Sequence, residues 1–222
     1  KAGQFQSHLN AWGMTLSVDK TEAMATDDQT HDHIELVPQD GKTGVRFTPL
    51  FSYLGVQISD TGAGDQAVLD RIDKARKAFW SLNSSVWNVY QLSLGTKIRV
   101  FRACVMSVLL YGAEAWTYTY PTRSALNRFY MICLRRIAKV SLYDQHRYGI
   151  SNEDIRAWLG VPPVEALVRQ SRLRWLGHVA RMPNHRLPKK MLFAFLDPDE
   201  GIPRPPGHLH GKRLRDSYVQ DL

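Results

Sequence analysis

The pattern of apolar and polar positions changes near residue 65. Beyond that point apolar residues recur every three or four positions, the spacing of one face of an α-helix. The first such run predicts an amphipathic helix whose inner face carries Val68, Ile72, Ala75, Phe79, Leu82 and Val86. Residues 96–116 are apolar around most of a helical circumference, so we expect them to form the central, most buried helix.

Three more helices are predicted downstream. Pro121 suits the first turn of one of them, because its fixed φ matches helical geometry. This helix has an inner stripe of Leu126, Tyr130, Cys133 and Ile137 and an outer stripe of Arg128, Arg135 and Lys139. In the next helix, Ser151 and Asp154 are spaced nearly as in a capping box, and Gly160 marks the end. A long helix follows the prolines at residues 162 and 163.

The long helix contains the stretch "SRLRWLGHVARMPNHRLPKK", which combines an apolar arc with a basic stripe. The predicted arc contains Leu173, Leu176 and Ala180, widened by Trp175, Val179 and Met182. On the opposite side stand Arg174, His178 and Arg181. Arg172 falls inside the apolar arc, so we expect it to extend its charged end to solvent or to pair with an acid.

Before residue 65, the segments with a regular apolar pattern are shorter. "FQSHLNAWG" reads as the end of a helix that Gly13 stops, and "AMAT", "IELV", "GVRFT" and "FSYLGVQIS" read as strands. The "TPL" joint predicts a tight hairpin between the last two strands, with Phe51 and Tyr53 at its tip. "SDTGAGD" then predicts a domain boundary. The chain is therefore predicted to be α+β, with a small N-terminal α/β piece that includes a β-hairpin, followed by mainly helical regions.

Charge is distributed unevenly along the chain. Residues 1–120 hold 11 Lys and Arg against 12 Asp and Glu, whereas residues 121–222 hold 18 against 9. The whole formal excess of +8 therefore lies in the second half, mostly on arginine, whose forked guanidinium suits phosphate and stacked bases. A polyanionic partner is the leading inference. An anionic membrane is the minor one, although no segment is apolar enough to span a bilayer and no signal peptide is recognisable.

Metal chemistry has little support in the sequence. Cys104 and Cys133 lie in apolar helical patterns and are predicted to be reduced core residues. The other candidates are histidine pairs in polar loops without a fixed partner, and one Asp-Asp pair in the stretch "ATDDQT". These residues are His31, His33, His208, His210, Asp27 and Asp28. We expect neither a metal site nor a cofactor in this chain.

Five motifs in one order carry a family resemblance. They are "GMTLSVDKTEAM", "FSYLG", "DRIDKARKAFWSL", "LSLGTKIRVFRACVMSVLLYGAEAW" and "RLRWLGHVARMPNHRLPKKM", and the Gly/Arg/Pro-rich tail agrees with them. In this order they resemble the reverse transcriptases of non-LTR (LINE-type) retrotransposons, which are nucleotidyltransferases often fused to an endonuclease. The resemblance implies the end of a polymerase palm in residues 1–60, a helical thumb in 65–140 and a basic helical C-terminal region in 150–222.

The resemblance also implies roles for single residues. Lys20 matches a lysine placed near the leaving pyrophosphate, where a positive charge or a proton donor would help. Ser17 departs from the family's usual asparagine. "FSYLG" matches the primer grip, so Phe51, Tyr53 and Gly55 are expected to contact the primer. The outer cations of the helices would meet phosphates of the template–primer duplex without reading its sequence.

The family's aromatic-x-Asp-Asp box, which helps to hold two catalytic metal ions, does not occur in this chain. We therefore expect the catalytic carboxylates upstream of Lys1, with Mg²⁺ needed only by the full-length enzyme and this chain inactive alone. Expected partners are the RNA template, the DNA primer and the upstream fingers, palm and endonuclease regions. A nuclear or cytoplasmic ribonucleoprotein is the implied location, and the nucleus at the integration step.

Two other functions stay open from the sequence. One is a free-standing helical nucleic-acid-binding protein derived from such an element, without a polymerase partner. The other is a metal-dependent hydrolase built on the histidine and aspartate clusters. The coding sequence upstream of Lys1 would separate the polymerase fragment from the free-standing protein, and stoichiometric metal lost on His31→Ala or His33→Ala would favour the hydrolase.

Overall fold

The chain divides into two compact units, residues 1–66 and 67–222. The structure, a computed structural model, describes residues 2–14, 17, 20–24, 33–34, 45–53, 55–59, 64–117 and 119–193. Helices dominate these residues, and the strands form two small antiparallel sheets. The α+β class predicted from the sequence is therefore confirmed.

In the first unit, α1 spans Ala2–Ala11 and ends as predicted. Gly13 has a φ of +71°, and the Met14 N–H donates to the Leu9 carbonyl over 3.0 Å. Strands β1 (His33–Ile34) and β2 (Val45–Arg46) pair antiparallel. At the end of α1, Gly13 provides the left-handed turn that closes the helix at little steric cost.

Strands β3 (Leu50–Tyr53) and β4 (Val56–Ser59) form a hairpin in which Tyr53 pairs with Val56. The predicted turn at "TPL" is therefore wrong, because the chain reverses between Tyr53 and Val56. "FSYLGVQIS" looks like one strand because strand-forming residues flank the turn on both sides. Gly55, with φ +79°, permits the tight reversal within that run.

The second unit is helical. Its elements, in chain order, are α2 (Asp65–Ser81, which begins at the junction of the units), a π-helical segment Asn83–Trp87, α3 (Leu94–Val100), a π-helical segment Phe101–Met106, α4 (Ser107–Leu109), a 3₁₀ turn Ala113–Ala115, α5 (Tyr120–Ala138), α6 (Leu142–Tyr148), α7 (Asn152–Leu159), α8 (Val164–Ala180) and α9 (Leu187–Phe193). The inner face predicted for α2 is confirmed for its first four members, which are buried, and Leu82 and Val86 pack at its edge.

The most buried helix is α5, not the segment 96–116. The inner stripe predicted for α5 is confirmed, since all four of its members are fully buried or nearly so. This helix packs against α3, α7 and α8. Segment 96–116 does contribute buried residues, but π-helical turns interrupt it and α4 ends at Leu109, before Gly112 reverses the chain with φ +74°. The apolar residues of this segment therefore belong to several short elements and not to one long helix.

Two short helices begin with complete capping boxes. The Ser151 hydroxyl accepts from the Asp154 N–H over 3.1 Å, and the Asp154 carboxylate accepts from the Ser151 N–H over 2.8 Å. Ser141 and Asp144 do the same for α6. The predicted start of α7, and its end at Gly160, are confirmed. Each box satisfies N–H groups that have no partner inside the helix.

The buried face of α8 is rotated from the predicted arc. Its centre is formed by Val164, Val168, Arg172 and Val179. Leu173 and Leu176 are only half-buried at its edge, and Trp175 is 38% exposed. The face is set by what α8 packs against, namely α5 and the turn Ala113–Ala115. The spacing of apolar residues along α8 does not indicate which elements the helix packs against.

The two cysteines differ in environment. Cys133 is buried in α5 as predicted, and burial raises the pKa of its thiol far above the ordinary value. Cys104 is exposed, so its predicted place in the core is wrong. It lies in the π-helical segment Phe101–Met106, whose wider turn changes which side chains face inward. Among the helices of the described ranges, none is both long and apolar enough to cross a membrane.

Candidate nucleic-acid interface

The outer face of α5 carries the three predicted cations within one narrow stripe. Arg128, Arg135 and Lys139 are seven and four residues apart, so they span roughly 16 Å along the helix. Arg128 is exposed. Arg135 is half-buried, where its Nη1 donates to the Gln145 and Asn152 side-chain oxygens over 3.5 and 3.4 Å. Burial lowers the pKa of Arg135, but an arginine keeps its charge at any physiological pH.

Two asparagines hold the cations at the C-terminal end of α5. Arg136 Nη2 donates to the side-chain oxygens of Asn83 and Asn88, each over 3.1 Å. Lys139 Nζ donates to the same Asn88 oxygen, also over 3.1 Å. Burial, followed by the charges of Arg136 and Lys97, lowers the pKa of Lys139. Positive charge is therefore concentrated here, and neutral amides hold it.

Aromatic rings flank these cations. The Arg136 guanidinium lies 6.0 Å from the centre of the Trp80 ring, and Lys139 Nζ lies 5.6 Å from the centre of the Tyr90 ring. Both rings are open to solvent, with Trp80 46% and Tyr90 87% exposed. Alternating cations and exposed aromatic faces are typical of surfaces that bind single-stranded nucleic acid. We call Trp80, Asn83, Asn88, Tyr90, Arg136 and Lys139 the α5-end patch.

The core fixes the segment that carries the asparagines. The Trp87 ring stacks on Phe79, with ring centres 4.9 Å apart and planes at 14°, and its Nε1 donates to the Phe79 carbonyl over 2.6 Å. Lys97, itself buried, donates to the Trp87 carbonyl over 3.3 Å. The Trp87 side chain is held by Phe79 and its backbone carbonyl by Lys97. This anchoring fixes the backbone that carries Asn83 before Trp87 and Asn88 after it. The patch is thus positioned before any ligand binds.

Some cations of this unit pair with a carboxylate, whereas the predicted phosphate-binding cations do not pair with one among the described residues. Lys74, Arg76, Arg123 and Arg156 each lie within 4.0 Å of a carboxylate oxygen. Within the described ranges, by contrast, no carboxylate pairs with any of the five predicted phosphate-binding Arg and Lys residues, or with Arg136. A carboxylate would neutralise a guanidinium, whereas an amide oxygen only orients it. Within the described ranges, the positive charge of these residues is therefore not offset by a paired carboxylate.

The stripe predicted on α8 is exposed to solvent. Arg174, His178 and Arg181 are all exposed, and the His178 ring lies 5.5 Å from Trp175. Trp175 therefore belongs with the basic stripe and not with the core. The end of the helix is closed by Lys189, whose Nζ donates to the Ala180 and Met182 carbonyls over 2.9 Å each. This contact satisfies carbonyls that the helix itself leaves without a donor.

The first unit places its own candidates on one hairpin and one turn. Phe51 and Tyr53 alternate along β3, so both side chains face the same side of the hairpin. Phe51 is half-buried, whereas Tyr53 is 57% exposed beside Gly55. Lys20 is exposed in a turn where its N–H donates to the Ser17 carbonyl over 3.2 Å. Their contact with a primer or a pyrophosphate stays a prediction.

A cleft of about 390 Å³ lies between α3 and the end of α7. Arg99 and Arg102 line it together with Trp158, and Arg102 Nη2 donates to the Gly160 carbonyl over 2.8 Å. No Asp or Glu is among its lining residues in the described part of the chain. In this cleft, as in the α5-end patch, arginine stands near an exposed indole.

The metal candidates cannot be placed. Asp27, Asp28, His31, His208 and His210 lie outside the described residues, as does the side chain of His33. Within the ranges that the structure does describe, no three His, Cys, Asp or Glu side chains are grouped to hold a metal ion. The metal-dependent hydrolase, which the sequence left open as an alternative, therefore stays a hypothesis.

Sequence reasoning missed most of the α5-end patch. Only the fold brings these residues together: Trp80 lies in α2, Asn83 in the π-helical segment, Asn88 and Tyr90 in the connection that follows it, and Arg136 in α5. A partial signal was present, since "WSLNSSVWNVYQ" is rich in asparagine and aromatic residues at the point where the α2 pattern fails. Helical spacing from Arg128 and Lys139 selects Arg135 for the outer stripe and gives no indication of Arg136.

Comparison with known proteins gives one relative. A protein of Caenorhabditis elegans described as transposon-derived is 30% identical over 138 residues, which is 61% of this chain and 48% of that protein. The similarity suggests a transposon origin. The chain spans about half the length of this relative. No family model matches the chain, and no solved structure matches it.

Proposed function

We propose that this chain binds nucleic acid through the phosphate backbone. The observation that carries the proposal is the set of predicted cations that pair with no carboxylate of the described residues, next to other cations of the same unit that do. Phosphate contacts by Arg and Lys release counterions and supply most non-specific affinity. A transposon origin is consistent with such a partner.

More specifically, we propose that the chain is the palm end, thumb and C-terminal region of a non-LTR retrotransposon reverse transcriptase. The order of the five motifs and the helical architecture after residue 65 support this assignment. Under it, the β3–β4 hairpin would hold the primer and the helical unit would straddle the template–primer duplex. Mg²⁺, the catalytic carboxylates and the endonuclease would belong to upstream regions of the same polyprotein. The full-length protein would act in a ribonucleoprotein and reach the nucleus for integration.

The salt dependence of binding tests the first proposal. We expect the affinity of the full chain for an RNA–DNA duplex to fall steeply with salt, by a slope of about 0.7 to 0.9 in log K against log salt for each phosphate contacted. The triple variant Arg128→Gln, Arg174→Gln and Arg181→Gln should lower both affinity and slope. Lys74→Gln, Arg76→Gln and Arg123→Gln remove the same charge from ion-paired positions and provide the matched control. Equal losses in the two triple variants would reduce the proposal to a net-charge effect and overturn it.

Primer extension tests the second proposal. The chain alone should extend no primer with Mg²⁺ or Mn²⁺, because it lacks the metal-binding carboxylates. The same chain joined to an upstream segment encoding an aromatic-x-Asp-Asp strand pair should extend one. Synthesis by the isolated chain would contradict the assignment and redirect attention to Asp27 and Asp28. An upstream reading frame without such a box would leave the free-standing binding protein as the better description.

A further inference from the structure

Lys139 ends α5 in a conformation that lysine rarely adopts. Its φ and ψ are 58° and 34°, and it is the sole non-glycine residue with positive φ in the described part of the chain. Helices α6 and α7 reach the same left-handed geometry at Gly149 and Gly160. For a residue with a Cβ this conformation is unfavourable, whereas glycine adopts it freely. The chain therefore keeps an ammonium group where glycine would stabilise the helix end.

The ammonium group is oriented toward an aromatic face. Asn88 accepts a hydrogen bond from Lys139 Nζ over 3.1 Å, and the same nitrogen lies 5.6 Å from the centre of the Tyr90 ring. Because Tyr90 is 87% exposed, a large part of its ring surface remains available to solvent. Arg136 lies beside this pair through the shared Asn88 oxygen. The flat Tyr90 ring and the positive charges of Lys139 and Arg136 therefore lie close together on the surface.

We infer that the α5-end patch is a binding site for an unpaired nucleotide, whose base stacks on Tyr90 and whose phosphates contact Lys139 and Arg136. This inference rests on the proposed nucleic-acid binding and specifies its ligand as a single-stranded segment. A paired base within a duplex has both faces covered by its neighbours, so Tyr90 could not stack on it. The phosphate contacts need no particular base, and the site should tolerate any sequence.

The test compares binding of two probes to the full chain at one salt concentration. The probes are a single-stranded oligothymidine of about 12 nucleotides, within the usual site size, and a blunt-ended GC-rich duplex of similar length. Tyr90→Ala should weaken single-strand binding by about 5- to 150-fold, as expected for loss of one stacked base, and leave duplex binding unchanged. Tyr90→Phe keeps the aromatic face and should bind the single strand nearly as the wild type does. Tyr120→Ala, at a tyrosine of similar exposure (81%) at the other end of α5, provides the control.

Lys139→Gly separates binding from folding. It should raise the thermal midpoint by roughly 2 to 4 °C, because the left-handed strain is removed, while it weakens single-strand binding and reduces the salt slope by about 0.7. An effect of Tyr90→Ala no larger than that of Tyr120→Ala, or an equal loss for both probes, would overturn the inference. If the wild-type chain binds neither probe with salt dependence, the proposed function itself fails, which is a distinguishable result.

Discussion

Arg172 and Trp116 are joined by a hydrogen bond in which the guanidinium Nη2 donates to the backbone carbonyl over 2.8 Å. Arg172 is 7% exposed on α8, and Trp116 is 2% exposed just after the 3₁₀ turn Ala113–Ala115. A charged donor thus satisfies a buried carbonyl between two elements that pack together. Arg174, two residues away on the same helix, is exposed and makes no such contact with the residues that the structure describes.

The two arginines should therefore respond differently to truncation. Arg172→Ala removes a charge-assisted hydrogen bond and buried aliphatic contacts, so we expect the free energy of unfolding to fall by about 2 to 4 kcal/mol. Arg174→Ala should change it by less than about 0.5 kcal/mol, as exposed substitutions usually do. Denaturant unfolding of both variants measures the difference. Similar stabilities for the two would mean that Arg172 is not a structural residue.

The rotated face of α8 gives a second prediction. Val168 is 1% exposed, whereas Leu176 is half-buried. Val168→Ala should lower the free energy of unfolding by about 2 kcal/mol, although it removes fewer atoms, and Leu176→Ala by about 1 kcal/mol. Thermal or urea unfolding of the two variants would show the order. A larger effect at Leu176 would restore the arc predicted from the sequence.

The cysteines should react at different rates. Cys104 is exposed, whereas Cys133 is buried and its thiol pKa is raised by burial. Because the thiolate is the reactive form, a thiol reagent should modify Cys104 in the native protein and Cys133 only after unfolding. Mass spectrometry of the labelled chain identifies the site, with Cys104→Ser as the control. Two rapidly modified thiols in the native protein would contradict the placement of Cys133.

Acid should weaken the starts of α6 and α7. Hydrogen bonds from the Ser141 and Ser151 side chains, then from their backbones, lower the pKa of Asp144 and Asp154 below the ordinary 3.8. A carboxylate with a lowered folded pKa stabilises the folded state above its unfolded pKa, and this contribution is lost as the pH falls through the folded value.

The corresponding measurement is unfolding as a function of pH from about 6 down to 2. In Asp144→Asn and Asp154→Asn, stability should be lower near neutral pH and should decline less as the pH falls below about 4. A variant whose pH dependence parallels that of the wild type would show that its capping box does not contribute to acid sensitivity.

The amino-acid sequence determined the parts of this protein that depend on neighbours along the chain. Helices α2, α5 and α7, the capping box of Ser151 and the glycine ends at Gly13 and Gly160 follow from local spacing and backbone preference. The inner stripe of α5 was predictable for the same reason, because a regular 3.6-residue period places those four residues on one face. The excess of positive charge in the second half was likewise evident from composition.

The tertiary structure decided which side of a helix is buried and which cations pair with a carboxylate among the described residues. The π-helical turn at Phe101–Met106 moved Cys104 to the surface, and packing on Ala113–Ala115 gave Arg172, which the sequence already placed on the inner face, the buried Trp116 carbonyl as a partner. Lys139 meets Asn88 and Tyr90 across about 50 residues of chain, in an irregular segment that Trp87 anchors on Phe79 of α2. Local periodicity carries no information on such long-range packing, since each helix offers several faces and its neighbours select one.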